Sequence, residues 1–559
     1  MSRMLVTIGD FLKNAGMVGL CYLLEESKAA KGDDYDITDN GQSIWISREY
    51  VKSADWTDMY FKAFVKRFGS LTVYQAALEK IEKILKTAEQ EGWNQKECKE
   101  DLKFINEKLL SNSYQSGFAN IKEKINQPEV YEHLKISKLK ENMETEELCI
   151  RLRELYDFLK QPLCEETFSM KSIIYNYINR FWDGKCFLFK ANASKDMREM
   201  FEADFSEPLR KYAGAGHEKA KDMCIDCSER IDAKEKVSIA FMKEQADDLT
   251  RKRSAFWNCK VDAYLCPMCA FIYSLAPLGF TLAGKTFVFI NRNQNVNELL
   301  TVNSLHGKLA HSSEQDEDEK YSLWIARTID LLLKEKSTEL GNIQVIARGI
   351  GENDRYTFDV IAKDILVLLN DEKIRKDLDN LSKYPYVKVG KEFWNIHETV
   401  ILRILRYRSQ YGVINQLLKM AIENDGHLYK AGLVYDIQLR TRLLQRKNNE
   451  KHGGDLVKQH YMVSKQGYEL RKALLREKGT EEDSCIRGTV YQLLNALSVS
   501  NVERFMEVIM RVYCSTKLQV PNLFIEFLKD RDTFVEYGYA FLLGLQGGYY
   551  EKKEEKENE

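Results

Sequence analysis

Four cysteines carry the most specific chemistry in this chain. Cys224-Ile225-Asp226-Cys227 and Cys266-Pro267-Met268-Cys269 are two C-x-x-C pairs about forty residues apart. A C-x-x-C turn aims two thiolates at one point, and two such turns supply the four soft ligands of a tetrahedral zinc ion. One structural Zn2+ held by Cys224, Cys227, Cys266 and Cys269 is therefore expected. A site closed by four thiolates has no open position for a substrate. Its expected role is to staple a long insertion, with binding energy on the order of 10 kcal/mol driving local folding. A redox pair is the alternative, but two pairs outside a thioredoxin-like βαβ setting argue against it. Cys259 would be one ligand too many and is read as core.

Gly279-Phe-Thr-Leu-Ala-Gly284-Lys285-Thr286 fits the phosphate-loop pattern G-x-x-x-x-G-K-[ST] letter for letter. Such a loop works because a helix follows it and turns its N-terminus toward the phosphates. Here strand-like residues, Phe287 to Ile290, follow instead. The stretch is read as a turn between a helix and a strand. A nucleotide hydrolase using Lys285 and Thr286 is kept as the enzymatic alternative, and a zinc-stapled protein-binding scaffold as another. No His-Asp pair or clustered carboxylate–lysine motif at nuclease spacing is found, and the eight histidines are scattered. The chain is expected to be non-catalytic.

Basic residues suggest a polyanion surface. The net charge is −2, so any such surface must be a local patch. Residues 401–480 hold sixteen Lys/Arg against seven Asp/Glu. Arg403, Arg406 and Arg408 are read on one helix, Arg442, Arg446 and Lys447 at the end of another, and Arg471, Lys472 and Arg476 on a third. All are candidates to track a phosphate backbone. Arg251-Lys252-Arg253, between the cysteine pairs, is a smaller candidate. Asn291-Arg292-Asn293-Gln294-Asn295 follows a strand and offers side chains that read base edges, although an Asn-rich segment is also an ordinary turn.

These side chains need elements to hold them. The 559 residues are enough for two to four domains, and few prolines with abundant Leu, Lys and Glu point to a mainly helical chain. The expected class is α+β, predominantly α-helical and multidomain, with a zinc-ribbon-like insertion and a C-terminal helical bundle. The expected divisions are a mostly helical α/β domain over 1–209, the C-x-x-C region over 210–300, the remainder of the first domain over 301–389, the bundle over 390–548 and a charged tail over 549–559. Thr7 to Glu26 reads as a helix with a Thr7–Asp10 capping box, and Gly16 and Gly19 leave a smooth patch for close packing. Tyr35 to Ser47 reads as a hairpin turning at Asn40-Gly41. Ile343 to Ala347 with Tyr356 and Phe358 forms a second hairpin candidate, and Ser312 to Lys320 an acidic, solvated loop. Stripes at Val490, Leu493, Leu494 and Leu497, at Phe505, Val508, Ile509 and Val512, and at Phe534, Tyr537, Phe541, Leu542 and Leu545 mark bundle helices. A Ser500–Glu503 capping box, a short helix after Pro521 and a stop at Gly547-Gly548 punctuate them. No apolar run is long enough to span a membrane and no signal-peptide pattern opens the chain, so a cytosolic protein with free or metal-bound cysteines is expected.

Together these pieces resemble the CXXC–CXXC family of CRISPR-associated large subunits, that of the type I-B surveillance complex (Cascade). The resemblance is carried by Asn14-Ala-Gly-Met-Val-Gly-Leu20, both cysteine pairs, Pro277-Leu-Gly-Phe280 with Phe287-Val-Phe-Ile-Asn291, Tyr491 to Leu497, Arg504-Phe505-Met506, Arg511-Val-Tyr513 and Tyr537 to Phe541. It keeps their order across most of the chain and is weakest over 90–180. It implies a subunit at the 5′ end of the guide RNA that reads the protospacer-adjacent motif (PAM) in duplex DNA, helps open it and stabilises the displaced strand in an R-loop, for antiviral defence. Guide pairing then reads the sequence. The implied partners are the CRISPR RNA, target duplex and displaced strand, the backbone, guide-5′-end and small subunits, and a recruited helicase–nuclease. The bundle resembles a small subunit, which can be made separately by internal initiation; Met420 and Met462 are the candidate starts.

Overall fold

Asp10 decides where the first helix begins. Its carboxylate accepts from the backbone N–H groups of Leu12 (2.8 Å) and Lys13 (3.1 Å), capping the helix Phe11–Glu26. The expected start at Thr7 is thus corrected. Thr7 instead ends strand β1 (Arg3–Thr7), in which Met4 and Val6 are buried while Arg3, Leu5 and Thr7 face out. Beyond the helix, β2 (Tyr35–Ile37) and β3 (Ser43–Ser47) form the expected hairpin, with Gly41 at φ +69° in its turn. The three strands make one antiparallel sheet in the order β1-β3-β2. These elements belong to a computed structural model that describes residues 3–89, 93, 95–192, 194–246, 263–283, 286–303, 343–349, 355–446, 453–480 and 485–548.

The smooth patch on the first helix is used for backbone contact. A Cβ on Gly16 would stand 2.2 Å from the Ile272 carbonyl oxygen, and one on Gly19 would stand 2.4 Å from that of Leu275. From the other side, a Cβ on Gly279 would meet the Ala15 carbonyl at 2.0 Å. No side chain fits between these backbones, so glycine is required at each. The partners are the helix Pro267–Ser274, which the second cysteine pair opens, and its continuation Ala276–Gly279.

Two short strand pairs surround the cysteines: β4 (Asp222–Met223) with β5 (Arg230–Ile231), and β6 (Val237–Ser238) with β7 (Tyr264–Leu265). After Gly279 the chain forms β8 (Thr281–Ala283) and β9 (Thr286–Asn291), joined by β10 (Ile343–Gly349) and β11 (Tyr356–Ile361) in the order β11-β10-β9-β8. The phosphate-loop pattern therefore runs from a helix end through an antiparallel pair in which Ala283 faces Thr286. Thr286 opens a strand; Gly284 and Lys285 lie outside the described residues. Aromatic side chains close the core around this sheet, with Phe181 5.1 Å and Tyr177 5.7 Å from Phe287 between ring centres. The helices of residues 73–168 enclose a second core of Tyr74, Tyr114, Phe118, Tyr131, Phe158 and Phe168.

The described residues fall into two compact units, one drawn from Met1–Asp318 and Gln344–Asp359, the other from Glu319–Ile343 and Val360–Glu559. The second unit carries a hairpin, β12 (Tyr386–Val389) and β13 (Glu392–Asn395), and a succession of helices. Its stripes at Val490, Phe505 and Phe534 are buried. The helices Gly453–Lys478 and Arg531–Leu545 also touch through backbone: a Cβ on Gly544 would lie 1.8 Å from the Ser464 carbonyl oxygen. Asn501, not a Ser500–Glu503 box, caps Val502–Thr516 by accepting from Arg504 N at 2.8 Å. Ser500 has φ +54° and turns the chain out of the preceding helix. A 3-10 stretch, Asn522–Leu528, follows Pro521, and Gly547 at φ +87° follows the last helix. The protein is α+β and predominantly helical. The acidic loop expected at Ser312 to Lys320 and the tail over 549–559 lie outside the described residues.

Candidate metal centre and basic surfaces

The two C-x-x-C pairs reach one point by different local routes. The first lies in the turn between β4 and β5. There Cys224 N donates to Glu229 O (2.8 Å), Ser228 N donates to Cys224 O (3.0 Å), and Ser228 adopts φ +60°. The second starts a helix: Cys266 is the N-cap of Pro267–Ser274, and its Sγ accepts from Cys269 N at 3.4 Å. A helix N-terminus favours negative charge, which suits a thiolate. Ile225 N donates to Tyr264 O (2.9 Å), joining the first turn to β7 just before Cys266.

All four Sγ atoms lie within 4.8 Å of one another. Cys227 Sγ and Cys266 Sγ are 3.7 Å apart. Two corners of a tetrahedral zinc–thiolate site, with Zn–S near 2.3 Å, would stand about 3.8 Å apart. The donor set fits one structural zinc ion. Hydrogen bonds from Cys227, Cys266 and Cys269 pull the Cys224 thiol far below its ordinary value, whereas hydrogen bonds to Cys224 and Cys227, with burial, push the Cys266 and Cys269 thiols well above theirs, so the negative charge collects on the first pair. When bound, the ion would supply cross-linking of the two turns.

Lys13 and Asp226 form the inner wall of this centre. Lys13 Nζ lies 3.0 Å from Asp226 Oδ2 and donates to Oδ1 at 3.1 Å, with side-chain exposures of 4% and 11%. Burial lowers the Lys13 pKa, but Asp226, Cys269 and Cys227 together outweigh it and leave it raised. Burial raises Asp226, and negative charge at Cys224 acts in the same direction against the pull of Lys13. The cysteines thus help to lift Lys13, whereas burial leads for Asp226. The Tyr273 hydroxyl donates to Asp10 Oδ2 at 2.5 Å, so the cap of the first helix is tied to the helix that carries Cys266 and Cys269. Sequence reading missed this wall. Its signal was a lysine within an apolar stripe, and an aspartate inside the C-x-x-C turn.

The Asn-rich segment meets the same helix start. Asn14 Nδ2 donates to Asn291 Oδ1 (2.7 Å) and Asn293 Oδ1 (3.2 Å). Asn291 Nδ2 donates to Gln344 Oε1 at 3.0 Å. Arg292 is 4% exposed and pairs with Glu298 at 2.6 Å. Asn295 caps the next turn, accepting from Glu298 N at 2.8 Å. The Gln294 carbonyl accepts from Gln42 Nε2 at 2.7 Å, and Val296 N donates to Gly41 O at 2.8 Å, which braces the segment on the first hairpin. Asn291, Arg292 and Asn295 are therefore engaged within the protein; Asn293 is exposed but bonded to Asn14 and to Gly9 O, and the Gln294 side chain is exposed.

The basic candidates divide in the same way. Only Arg403 lies on the helix Ile396–Leu405; Arg406 is its C-cap and Arg408 lies beyond, correcting the expectation of one shared helix. Tyr407 at φ +52° reverses the chain there, and Arg403 Nε donates to Ser409 O at 2.8 Å. Arg406 and Arg408 are exposed. Arg442 pairs with the buried Glu536 and lies 3.7 Å from Asp532. Arg446 ends its helix, Gly426–Arg446, and Lys447 lies outside the described residues, as do Arg251, Lys252, Arg253 and Cys259. Arg471, Lys472 and Arg476 share the helix Gly453–Lys478. Arg471 and Arg476 line an open groove with Leu475, Gly479 and Thr480, and Lys472 Nζ stands 4.3 Å from the Tyr468 ring centre. No described helix is long and apolar enough to cross a membrane.

Residues 217–281, which contain all four cysteines, match the family model for CRISPR-associated protein (Cas_CXXC_CXXC). No curated protein shows a significant match to the chain. The match supports a CRISPR-associated protein with a CXXC–CXXC centre.

Proposed function

We propose that this chain is the non-catalytic large subunit of a type I-B RNA-guided surveillance complex, which recognises the protospacer-adjacent motif and stabilises the opened target DNA. The observation that carries the reading is the CXXC–CXXC match over 217–281 on a cluster that brings its four thiols within one coordination sphere. Such a closed centre suits a structural staple and leaves the chemistry of cleavage to a recruited helicase–nuclease. A strand after Thr286, where a phosphate loop would need a helix, favours a subunit that hydrolyses no nucleotide. Exposed Arg406, Arg408, Lys472 and Arg476 suit contact with DNA phosphates, and exposed Asn293 and Gln294 suit contact with base edges. The expected partners are the guide RNA, the target duplex and the other subunits of the complex.

The test is co-expression with the presumed partner subunits and a guide RNA, followed by binding to matched duplexes with and without candidate PAM sequences. PAM-dependent binding that disappears when this chain is omitted is the expected result. PAM-independent binding by a fully assembled complex would overturn the recognition role.

A further inference from the structure

The hairpin β12–β13 turns aromatic rings outward. Tyr384 is 77% exposed, Tyr386 55% and Phe393 70%. The register explains which way they point. Lys388 faces Phe393 and Tyr386 faces Asn395, so alternation places Tyr386, Lys388 and Phe393 on one face. Val387 and Trp394 form the other face. Val387 is buried, and the Trp394 indole N–H donates to Thr399 Oγ1 at 2.9 Å. Lys430 Nζ donates to the Tyr386 carbonyl at 2.9 Å and braces the first strand. One face thus anchors the hairpin while the other holds its rings in solvent.

The company of these rings indicates what they meet. Residues 383–395 contain Lys383, Lys388 and Lys391 against the single acid Glu392, and all three lysines are exposed. An apolar protein partner would want a continuous greasy surface, whereas here each ring has a cation beside it. Tyr386 and Phe393 are diagonal cross-strand neighbours, about 7–8 Å apart. Rings on neighbouring strands, interleaved with lysines, suit splayed bases joined by phosphates: each base has a π-face to stack, and each phosphate a cation to meet.

We propose that the outer face of β12–β13 is a stacking platform for an unpaired stretch of nucleic acid, with Tyr386 and Phe393 taking bases and Lys388 and Lys391 taking phosphates. The inference rests on the recognition role proposed above for the source of that strand, a displaced DNA strand or a guide RNA, but not for the chemistry.

The test uses the full chain with labelled oligothymidylate and oligouridylate of about twenty nucleotides, titrated over a range of salt. Wild type should bind at least one of them. Tyr386→Ala and Phe393→Ala should each weaken binding about tenfold. Phe393→Trp should keep affinity, whereas Phe393→Leu, apolar but without a π-face, should not. Lys388→Ala with Lys391→Ala should flatten the salt slope by about 0.7 per lost contact. Preference for the DNA probe would point to the displaced strand and preference for RNA to the guide; both support the platform. Wild type that binds neither probe, alanine variants that bind like wild type, or a Leu variant as good as Phe would each overturn it. So would ring variants that fail only in subunit assembly. PAM dependence of the assembled complex is scored separately. Its absence in wild type removes the recognition role while oligonucleotide binding stands, and ring variants with unchanged oligonucleotide affinity remove the platform while PAM dependence stands.

Discussion

Lys13 and Arg442 are both cations drawn into the protein, yet their surroundings differ. Lys13 faces Asp226 beside four thiols, and the next residue, Asn14, is buried too and bonded to Asn291. Arg442 pairs with Glu536 inside the helices of the second unit, while Arg406, Arg408 and Arg476 elsewhere in that unit stay at the surface. The cysteine region thus uses charge to hold the fold. The C-terminal helices divide their charge between holding the fold and facing solvent, and only the second share can meet a polyanion. A count of basic residues along the sequence mixes the two.

Substitutions at seven positions probe that contrast. The largest effect should come from the cysteines. Cys266→Ser, or exposure of wild type to a strong chelator, should take bound zinc from one equivalent to well below one and remove binding energy on the order of 10 kcal/mol. Elemental analysis with thermal melting checks this, and a zinc content near zero in wild type would break the comparison at its root. Next come the buried partners. Asp226→Asn removes the carboxylate paired with Lys13, and Glu536→Gln removes the buried one paired with Arg442 and leaves it only the exposed Asp532; each should cost about 3–5 kcal/mol in denaturant unfolding. A loss confined to Glu536→Gln would mean that Lys13 is held by the cysteines alone. Gly279→Ala places a methyl group 2.0 Å from the Ala15 carbonyl oxygen and should cost about 1–3 kcal/mol by overpacking. The smallest stability effect belongs to Arg406→Ala with Arg408→Ala, within about 0.5 kcal/mol in melting. The same pair should flatten the salt slope of DNA binding by up to about 0.9 per contact, whereas Arg442→Ala should lower stability and leave the slope alone.

What the sequence disclosed follows from what is local. The cysteine spacing, the Asn40-Gly41 turn and the apolar stripes of the last helices depend on near neighbours, and the structure has them where they were expected. The buried role of Lys13 was hidden because its partner Asp226 lies 213 residues away. Strand β1 was not foreseen, and its last residue, Thr7, was placed in the first helix, because only Met4 and Val6 mark the strand's inner face. Arg406 and Arg408 were placed on a helix because Tyr407, a bulky residue, gives no warning of φ +52°. The hairpin β12–β13 was overlooked because four-residue strands are too short for alternation to stand out.

The glycine contacts between the first helix and the helix of the second cysteine pair also bear on the timing of synthesis. Asp10 and Tyr273, which bond across this contact, are separated by 263 residues. At roughly 5–20 residues per second, the first helix waits on the order of tens of seconds before its packing surface leaves the ribosome. Cys266 and Cys269 emerge in that same stretch. Capture of the metal and packing of the first helix therefore fall together about midway through translation of the 559 residues, and until then the nascent chain presents an unfinished apolar helix for a chaperone to cover.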